Sequence, residues 1–194
     1  MMKANRKKEL KEQIYMKAMQ LFKEKGYEQV TVQEIADACD IAKGTFFNYF
    51  AKKDEILLYL GVSQIDYFLT HQAELESHTL LKEQITSSLG DLLQRFLDHG
   101  EIMKFTVLEL IKSEYLIQTE SKSIDRFQNY LIEIIKKAIN NGTFHSKWDT
   151  ELIASTIMGI YFNTLMTAIM QQNVDAKEFF QQSLNVVWEG ICKK

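Results

Sequence analysis

The chain contains 194 residues, of which 46% are apolar and 25% are charged, and its net charge is −3. Such a chain is one ordinary globular domain or two small ones, long enough to bury a core. No window approaches eighteen uncharged apolar residues, and the charged N-terminus lacks an apolar segment. We therefore expect neither a membrane-spanning helix nor a signal peptide.

Helix-breaking residues are scarce, with no proline and only eight glycines. Because these residues interrupt secondary structure, their scarcity predicts long, nearly continuous helices. The two cysteines, Cys39 and Cys192, occur in unrelated contexts and form no metal-ligand pattern. We expect both to be reduced thiols in a cytoplasmic protein, with neither a metal nor a cofactor.

Charge is divided unevenly along the chain. Residues 1–53 carry a net charge of +4, and residues 54–194 carry −7. A basic N-terminal part joined to an acidic body is typical of a protein that contacts phosphate at one end. Ordinary charge fluctuation is the alternative explanation.

The N-terminal part begins with a basic arm, residues 1–6, which either contacts phosphate or is simply solvated. A helix is predicted over residues 7–25, because apolar residues recur there at helical spacing. These residues are Leu10, Ile14, Ala18, Leu21 and Phe22. Gly26 follows as a natural helix terminator.

Residues 31–57 predict two short helices joined by a tight corner. Thr31 and Glu34 have the spacing of a capping box, which starts a helix. Asp40 lies where the chain must turn, and aspartate tolerates a left-handed conformation better than most residues. A second helix is then predicted to begin near Lys43.

The second helix places Phe46 and Phe50 on one face, which we assign to the core. Two short helices with such a corner form a helix-turn-helix, whose second helix can enter a DNA major groove, although helical hairpins without a DNA function share this spacing. The residues themselves closely resemble the signature of the tetracycline-repressor (TetR) family of transcriptional regulators. The residues that carry the resemblance are Ile35-Ala36, Ile41, Lys43-Gly44-Thr45, Phe46-Phe47, Tyr49-Phe50 and Lys53-Asp54-Glu55-Ile56-Leu57.

The resemblance implies a set of DNA contacts at the N-terminal ends of the second and third helices. Gln33 and Lys43 would reach base edges, and Gly44 would let the backbone approach the duplex. The remaining contacts would be to phosphate, to a thymine methyl group, or to a base or sugar. The full set is Thr31, Gln33, Lys43, Gly44, Thr45, Phe47, Tyr49 and Lys53.

Three residues depart from the family's usual pattern. Phe47 lacks the hydroxyl of the usual tyrosine, which leaves it only apolar contacts. Ala42 replaces a serine, so the third helix loses a side-chain cap worth ~1 kcal/mol. Asp40 replaces a glycine and brings a negative charge near the DNA.

Six further helices are predicted, so the chain as a whole is expected to be an all-α protein of about nine helices. Asp149 and Asp175 have the positions of N-terminal caps. A polar connector is predicted at residues 72–79. The six helices are predicted at residues 53–71, 80–98, 101–113, 121–140, 149–171 and 175–191.

The resemblance divides the chain into two domains. Residues 1–53 would form a three-helix DNA-binding head, and residues 54–194 a larger helical domain for effector binding and dimerisation. The last two long helices are apolar on more than one face, so they need partners on both sides. The family dimerises through these two helices, and we expect a homodimer of the same kind.

Family members bind small, mostly apolar or aromatic effectors among helices four to eight. Methionine and aromatic side chains suit such an adaptable pocket, and they equally well fill a core. The candidate effector-binding residues are Phe96, Met103, Phe105, Phe127, Tyr130, Met158 and Phe162. The sequence does not identify the effector.

No catalytic motif is present, and the four histidines have no metal-ligand spacing. We therefore expect no enzymatic activity. The resemblance implies a sequence-specific regulator of transcription, most often a repressor, that a small effector releases from a palindromic operator in double-stranded DNA. The alternative is an effector-independent architectural DNA-binding protein, against which the large, aromatic-rich C-terminal domain argues.

Overall fold

A computed structural model describes residues 2–71, 80–112, 114–171 and 173–191, and the side chains of residues 6–71, 80–108, 124–171 and 173–190. This part of the chain contains nine α-helices. They are α1 (Met2–Lys25), α2 (Val32–Ala38), α3 (Lys43–Phe47), α4 (Asp54–His71), α5 (Leu81–Leu97), α6 (Glu101–Lys112), α7 (Glu114–Asn140), α8 (Thr150–Met170) and α9 (Ala176–Ile191). The predicted all-α fold with an N-terminal helix-turn-helix is confirmed.

The helix starts agree with the predicted ones where a capping residue marks them. The Asp149 carboxylate accepts hydrogen bonds from the amides of Glu151 and Leu152 at 2.9 and 3.3 Å, which confirms its predicted role as a cap. Asp175 accepts from the amide of Glu178 at 3.0 Å in the same way.

Two predicted helix starts were wrong. The first helix begins at Met2 and not at residue 7, and α7 begins at Glu114, seven residues before its predicted start. Neither stretch contains a proline or glycine that would delay the helix. The predicted connector at residues 72–79 lies outside the described residues, as does Cys192.

The structure consists of two compact units. Unit 1 comprises Met1–Gly61 and Glu101–Glu114, and unit 2 comprises Val62–Gly100 and Tyr115–Lys194. The boundary therefore falls inside α4, and α6 belongs with the N-terminal helices. The functional division at residues 53 and 54 remains a prediction.

The core of unit 1 is built from the predicted apolar stripe of α1 and from the two short helices. Its most buried members are at most 2% exposed, and the assignment of Phe46 and Phe50 to the core is confirmed. They include Ile14, Ala18, Phe22, Ile35, Ala36, Phe46, Phe50, Ile56 and Leu60. Leu10 and Leu21 of the predicted stripe are only half-buried. Helix α6 joins this core through Phe105, whose ring lies 5.1 Å from that of Tyr27.

The core of unit 2 is formed where α5, α8 and α9 pack against one another. A cluster of aromatic rings from α4, α7, α8 and α9 fills it, with edge-to-face contacts at centroid distances of 5.4–6.2 Å. We refer to these rings as the aromatic cluster: Phe68, Phe127, Tyr130, Tyr161, Phe162 and Phe180.

Helix α8 is long and apolar enough to cross a membrane by length and composition alone, with 39% of its most apolar window buried. The expectation that no such segment exists was wrong, because residues 152–170 are uncharged and their polar members are serine, threonine and asparagine. The core helix of a soluble protein meets the same test.

Candidate DNA-binding site

The corner between α2 and α3 has the geometry that the sequence predicted. Asp40 adopts a left-handed conformation with φ of 54°. Its amide donates to the carbonyl of Asp37 at 3.1 Å, and the amide of Ile41 donates to the carbonyl of Ala36 at 3.0 Å. These bonds satisfy carbonyls at the end of α2 and turn the chain directly into α3.

The start of α2 is fixed by the predicted capping box. The Thr31 hydroxyl accepts from the amide of Glu34 at 3.2 Å, and the Glu34 carboxylate accepts from the amide of Thr31 at 2.8 Å. The Lys25 ammonium lies 2.7 Å from the same carboxylate. Thr31 itself is exposed, so the capped helix start faces solvent.

This arrangement makes the stability of the head depend on pH. Hydrogen bonds from Lys25 and from Thr31 lower the pKa of Glu34 from 4.5 to about 2. A carboxyl group with a lowered folded-state pKa stabilises the fold above pH 4.5, and this contribution is lost as the pH falls toward 2. We expect Glu34→Gln to be less stable than the native protein at pH 7 and the difference to shrink between pH 4.5 and 2. Urea unfolding at a series of pH values measures this, and a difference independent of pH would contradict it.

The residues predicted to reach base edges are both exposed. Gln33 lies in the first turn of α2, and its amide nitrogen donates to the Asp37 carboxylate at 2.7 Å. Lys43 is the first residue of α3, and Ala42 before it provides no side-chain cap, as predicted. The Lys43 ammonium is therefore presented at an exposed helix start.

Gly44 and Phe47 give α3 an exposed surface that combines a glycine with a large apolar ring. A Cβ atom built on Gly44 would meet no other atom within 4 Å, so nothing inside the protein requires glycine there. The Phe47 ring is 46% exposed and touches the buried ring of Phe46 edge-on, at 5.5 Å. Thr45 is half-buried between them. An exposed phenylalanine beside an unhindered glycine suits close contact with a partner.

Tyr49 borders an open groove of about 530 Å³ that it shares with α1. Two basic residues, Arg6 and Lys7, line the same groove, together with the acidic Glu9. Their proximity to the helix-turn-helix was missed in the set of predicted DNA contacts. The basic run at the start of the chain was the available signal, but the sequence alone did not place it beside Tyr49.

Lys53 occupies a different position from the other predicted contacts. Its ammonium donates to the carbonyls of Tyr27 and Val30 at 2.8 and 2.9 Å, and lies 4.2 Å from the centre of the Tyr27 ring. The Tyr27 hydroxyl in turn donates to the Asp54 carboxylate. Desolvation lowers the pKa of Lys53. The ammonium thus ties the start of α4 to the segment that joins α1 and α2.

The predicted effector-binding residues are distributed over both units. In unit 2, Phe96, Phe127 and Met158 are buried. Tyr130 is half-buried and Phe162 is 39% exposed. Three of the five, Phe127, Tyr130 and Phe162, belong to the aromatic cluster.

The other two predicted effector-binding residues lie in unit 1. Met103 is buried there, 1% exposed. Phe105 borders an open cavity of about 240 Å³ together with Tyr27 and Ile102. The seven residues are therefore not gathered within one compact unit.

Comparison with known proteins identifies the N-terminal part of the chain. Residues 14–60 match the family described as "Bacterial regulatory proteins, tetR family". The match includes most of α1, the helix-turn-helix and the first turns of α4.

Two relatives from Bacillus subtilis extend the similarity over nearly the whole chain. The chain is 26% identical to the fatty acid metabolism regulator protein, over 94% of this chain and 95% of that protein. It is also 26% identical to the uncharacterized HTH-type transcriptional regulator YerO, over 95% of this chain but only 66% of that protein.

The fold has a solved counterpart in FadR from Thermus thermophilus, a TetR-family transcriptional repressor whose crystal structure contains lauroyl-CoA. The two chains superpose with a TM-score of 0.81 at 21% identity, over 95% of this chain and 96% of that one. The helix-turn-helix geometry and the family match agree: residues 14–60 of this chain belong to the TetR family of bacterial regulatory proteins.

Proposed function

We propose that this protein is a cytoplasmic, non-enzymatic transcriptional repressor that binds a palindromic operator in double-stranded DNA and is released by a small, mostly apolar effector. The exposed start of α3, with Lys43 at its tip and an unhindered Gly44 beside it, is the observation that carries the proposal. Residues 1–53 would read the DNA, and residues 54–194 would bind the effector and form the dimer. Their charges of +4 and −7 suit this division.

Each side chain at this surface takes a role that fits its chemistry. Lys43 donates to guanine O6 and N7, and Gln33 reaches a neighbouring base edge. Phe47 makes apolar contact with a base or sugar. Thr31, Thr45 and Tyr49 contact phosphate. We propose that Lys53 does not contact DNA but positions the segment that leads into α2, because its ammonium already binds two backbone carbonyls of that segment.

The dimer forms through α8 and α9. Apolar side chains remain exposed on both helices, Leu152 at 54%, and Met170 and Val186 at 75%. A second copy of the chain would cover these residues and so remove their apolar surface from water. The α3 helices of the two copies would then enter successive major grooves, roughly 34–36 Å apart.

We propose a fatty acyl-CoA as the effector, of which the acyl chain is the apolar part and the CoA moiety is polar and anionic. The support comes from the fatty acid metabolism regulator protein among the relatives and from lauroyl-CoA in the FadR crystal structure. The aromatic cluster of unit 2 offers an apolar surface suited to an acyl chain. An effector that favours the released state by ~3 kcal/mol would weaken operator binding about a hundredfold.

The test is fluorescence anisotropy of the full-length protein on the DNA upstream of its own gene and on a scrambled duplex, at two salt concentrations. We expect specific binding at least ~10³ tighter than non-specific binding. Adding lauroyl-CoA should release the operator, whereas free CoA should not. Equal, steeply salt-dependent binding to both duplexes, unaffected by lauroyl-CoA, would favour the architectural alternative.

We expect Lys43→Ala to weaken operator binding by about 1–3 kcal/mol and non-specific binding by less, because the lysine reads a base edge. Lys23→Ala is the matched control, since Lys23 is an exposed lysine of α1 outside the proposed interface. The same anisotropy assay measures both variants. Equal losses on operator and scrambled DNA would mean that Lys43 contacts only phosphate.

A further inference from the structure

Unit 2 contains buried polar atoms to which no described residue offers a hydrogen bond. Among the described side chains, three such atoms lack a partner, and all three lie in unit 2: Ser88 Oγ, Arg95 Nε and Tyr161 Oη. Other buried hydroxyls do have partners: Thr106 in unit 1 donates to the carbonyl of Ile102 at 3.0 Å, and Thr164 in unit 2 donates to that of Ile160 at 2.8 Å. A buried polar group without a partner lowers stability, so these three atoms suggest a partner that unit 2 acquires on binding.

Tyr161 is the strongest of the three because of its burial and surroundings. Its side chain, on α8, is only 2% exposed. Its ring contacts three members of the aromatic cluster, Phe127, Phe162 and Phe180, at centroid distances of 5.7, 5.7 and 6.2 Å. Because Phe162 is 39% exposed, the apolar surroundings of Tyr161 extend to the surface of unit 2.

The charge state of the hydroxyl restricts what it can bind. Burial raises the pKa of Tyr161 well above its ordinary value, so the group is a neutral hydrogen-bond donor at physiological pH. The three rings that contact Tyr161 are uncharged, so a carboxylate beside the hydroxyl would have no counter-ion among them. A neutral carbonyl oxygen accepts the hydrogen bond without that cost.

We propose that the Tyr161 hydroxyl donates a hydrogen bond to the carbonyl oxygen of an acyl thioester whose chain packs against the aromatic cluster. This inference rests on the proposed acyl-CoA effector and adds the group that recognises it. It implies that unit 2 selects the thioester over a free fatty acid and over an alkyl chain without a carbonyl.

The test compares two ligands on two full-length proteins by isothermal titration calorimetry. The ligands are lauroyl-CoA and S-dodecyl-CoA, a thioether that has a methylene group in place of the carbonyl. We expect the native protein to prefer the thioester about tenfold, equivalent to 1.4 kcal/mol. In Tyr161→Phe the preference should disappear, while the affinity for the thioether stays unchanged.

Two controls separate recognition from structural damage. Ser88→Ala removes another unpartnered hydroxyl of unit 2 and should retain the preference for the thioester. Ligand-free Tyr161→Phe should have a melting temperature equal to or above that of the native protein, because it loses only an unpartnered hydroxyl. A lower melting temperature would show that the hydroxyl already has a partner, and would overturn the inference.

The remaining outcomes separate this inference from the proposed function. If the native protein binds both ligands equally, or if Tyr161→Phe keeps the preference, the role of Tyr161 is wrong and the acyl-CoA effector stands. If the native protein binds neither ligand, the acyl-CoA effector is wrong, and the inference fails with it.

Discussion

Replacing Gly44 by alanine is expected to remove most of the operator affinity without weakening the fold. A Cβ atom at this position meets nothing in the protein within 4 Å, so alanine fits. It should stabilise α3 by up to about 0.5–1 kcal/mol, because alanine loses less backbone freedom than glycine on entering a helix. Against a closely docked DNA backbone, the same methyl group would clash at a cost of ~1–3 kcal/mol, a roughly five- to 150-fold loss of affinity.

Thermal unfolding and operator anisotropy of the same preparation measure the two effects. Gly61→Ala is the matched control, since Gly61 is a helical glycine of α4 whose Cβ position meets only the methyl group of Thr106, at an ordinary contact distance of 3.9 Å. That variant should show no loss of operator affinity. If Gly44→Ala binds the operator as tightly as the native protein, the duplex does not approach α3 at Gly44, and the proposed docking is wrong.

The helix-turn-helix could be predicted from the sequence because its determinants are local. The capping box needs only Thr31 and Glu34, three residues apart, and the corner needs one residue that accepts a positive φ, which Asp40 does. Phe46 and Phe50 are buried as their four-residue spacing predicts. Each of these features depends on neighbours in the chain, so residue type and spacing were sufficient.

The effector-binding set was less predictable because it depends on distant packing. Phe96, Met103 and Phe105 are close in sequence and similar in chemistry, but the first lies in unit 2 and the other two in unit 1. Nothing in their local pattern distinguishes them. The sequence places Tyr161 among the aromatic residues of the same region but does not single it out, because a hydroxyl without a partner is recognised only when the neighbours of the side chain are known.

Lys53 is a second example of a residue whose contacts depend on distant parts of the chain, here within residues 1–53. Position in the family's motif predicts a phosphate contact, but its ammonium binds carbonyls that lie 23 and 26 residues earlier in the chain. Together with the hydrogen bond from Tyr27 to Asp54, these bonds hold the segment that leads into α2. The structure therefore suggests that Lys53 positions the DNA-reading surface and does not itself touch the duplex.

Lys53→Met separates the two roles, because methionine keeps most of the apolar stem and removes the charge. We expect the free energy of unfolding to fall by about 2–3 kcal/mol, since two hydrogen bonds from a charged donor to backbone carbonyls are lost. The slope of log affinity against log salt concentration should remain unchanged. A phosphate contact would instead reduce the magnitude of that slope by about 0.9.

The matched control is Lys52→Met, the same substitution at the preceding residue. Lys52 is exposed, and its ammonium lies 3.1 Å from the Asp54 carboxylate. An exposed ion pair contributes ~0–1 kcal/mol, so the control should lose much less stability than Lys53→Met. If Lys53→Met unfolds like the native protein and its salt slope falls, the phosphate contact predicted by the family motif is correct. A large loss of stability at a constant salt slope would mean that Lys53 stabilises the fold through its hydrogen bonds to the carbonyls of Tyr27 and Val30, and does not contact phosphate.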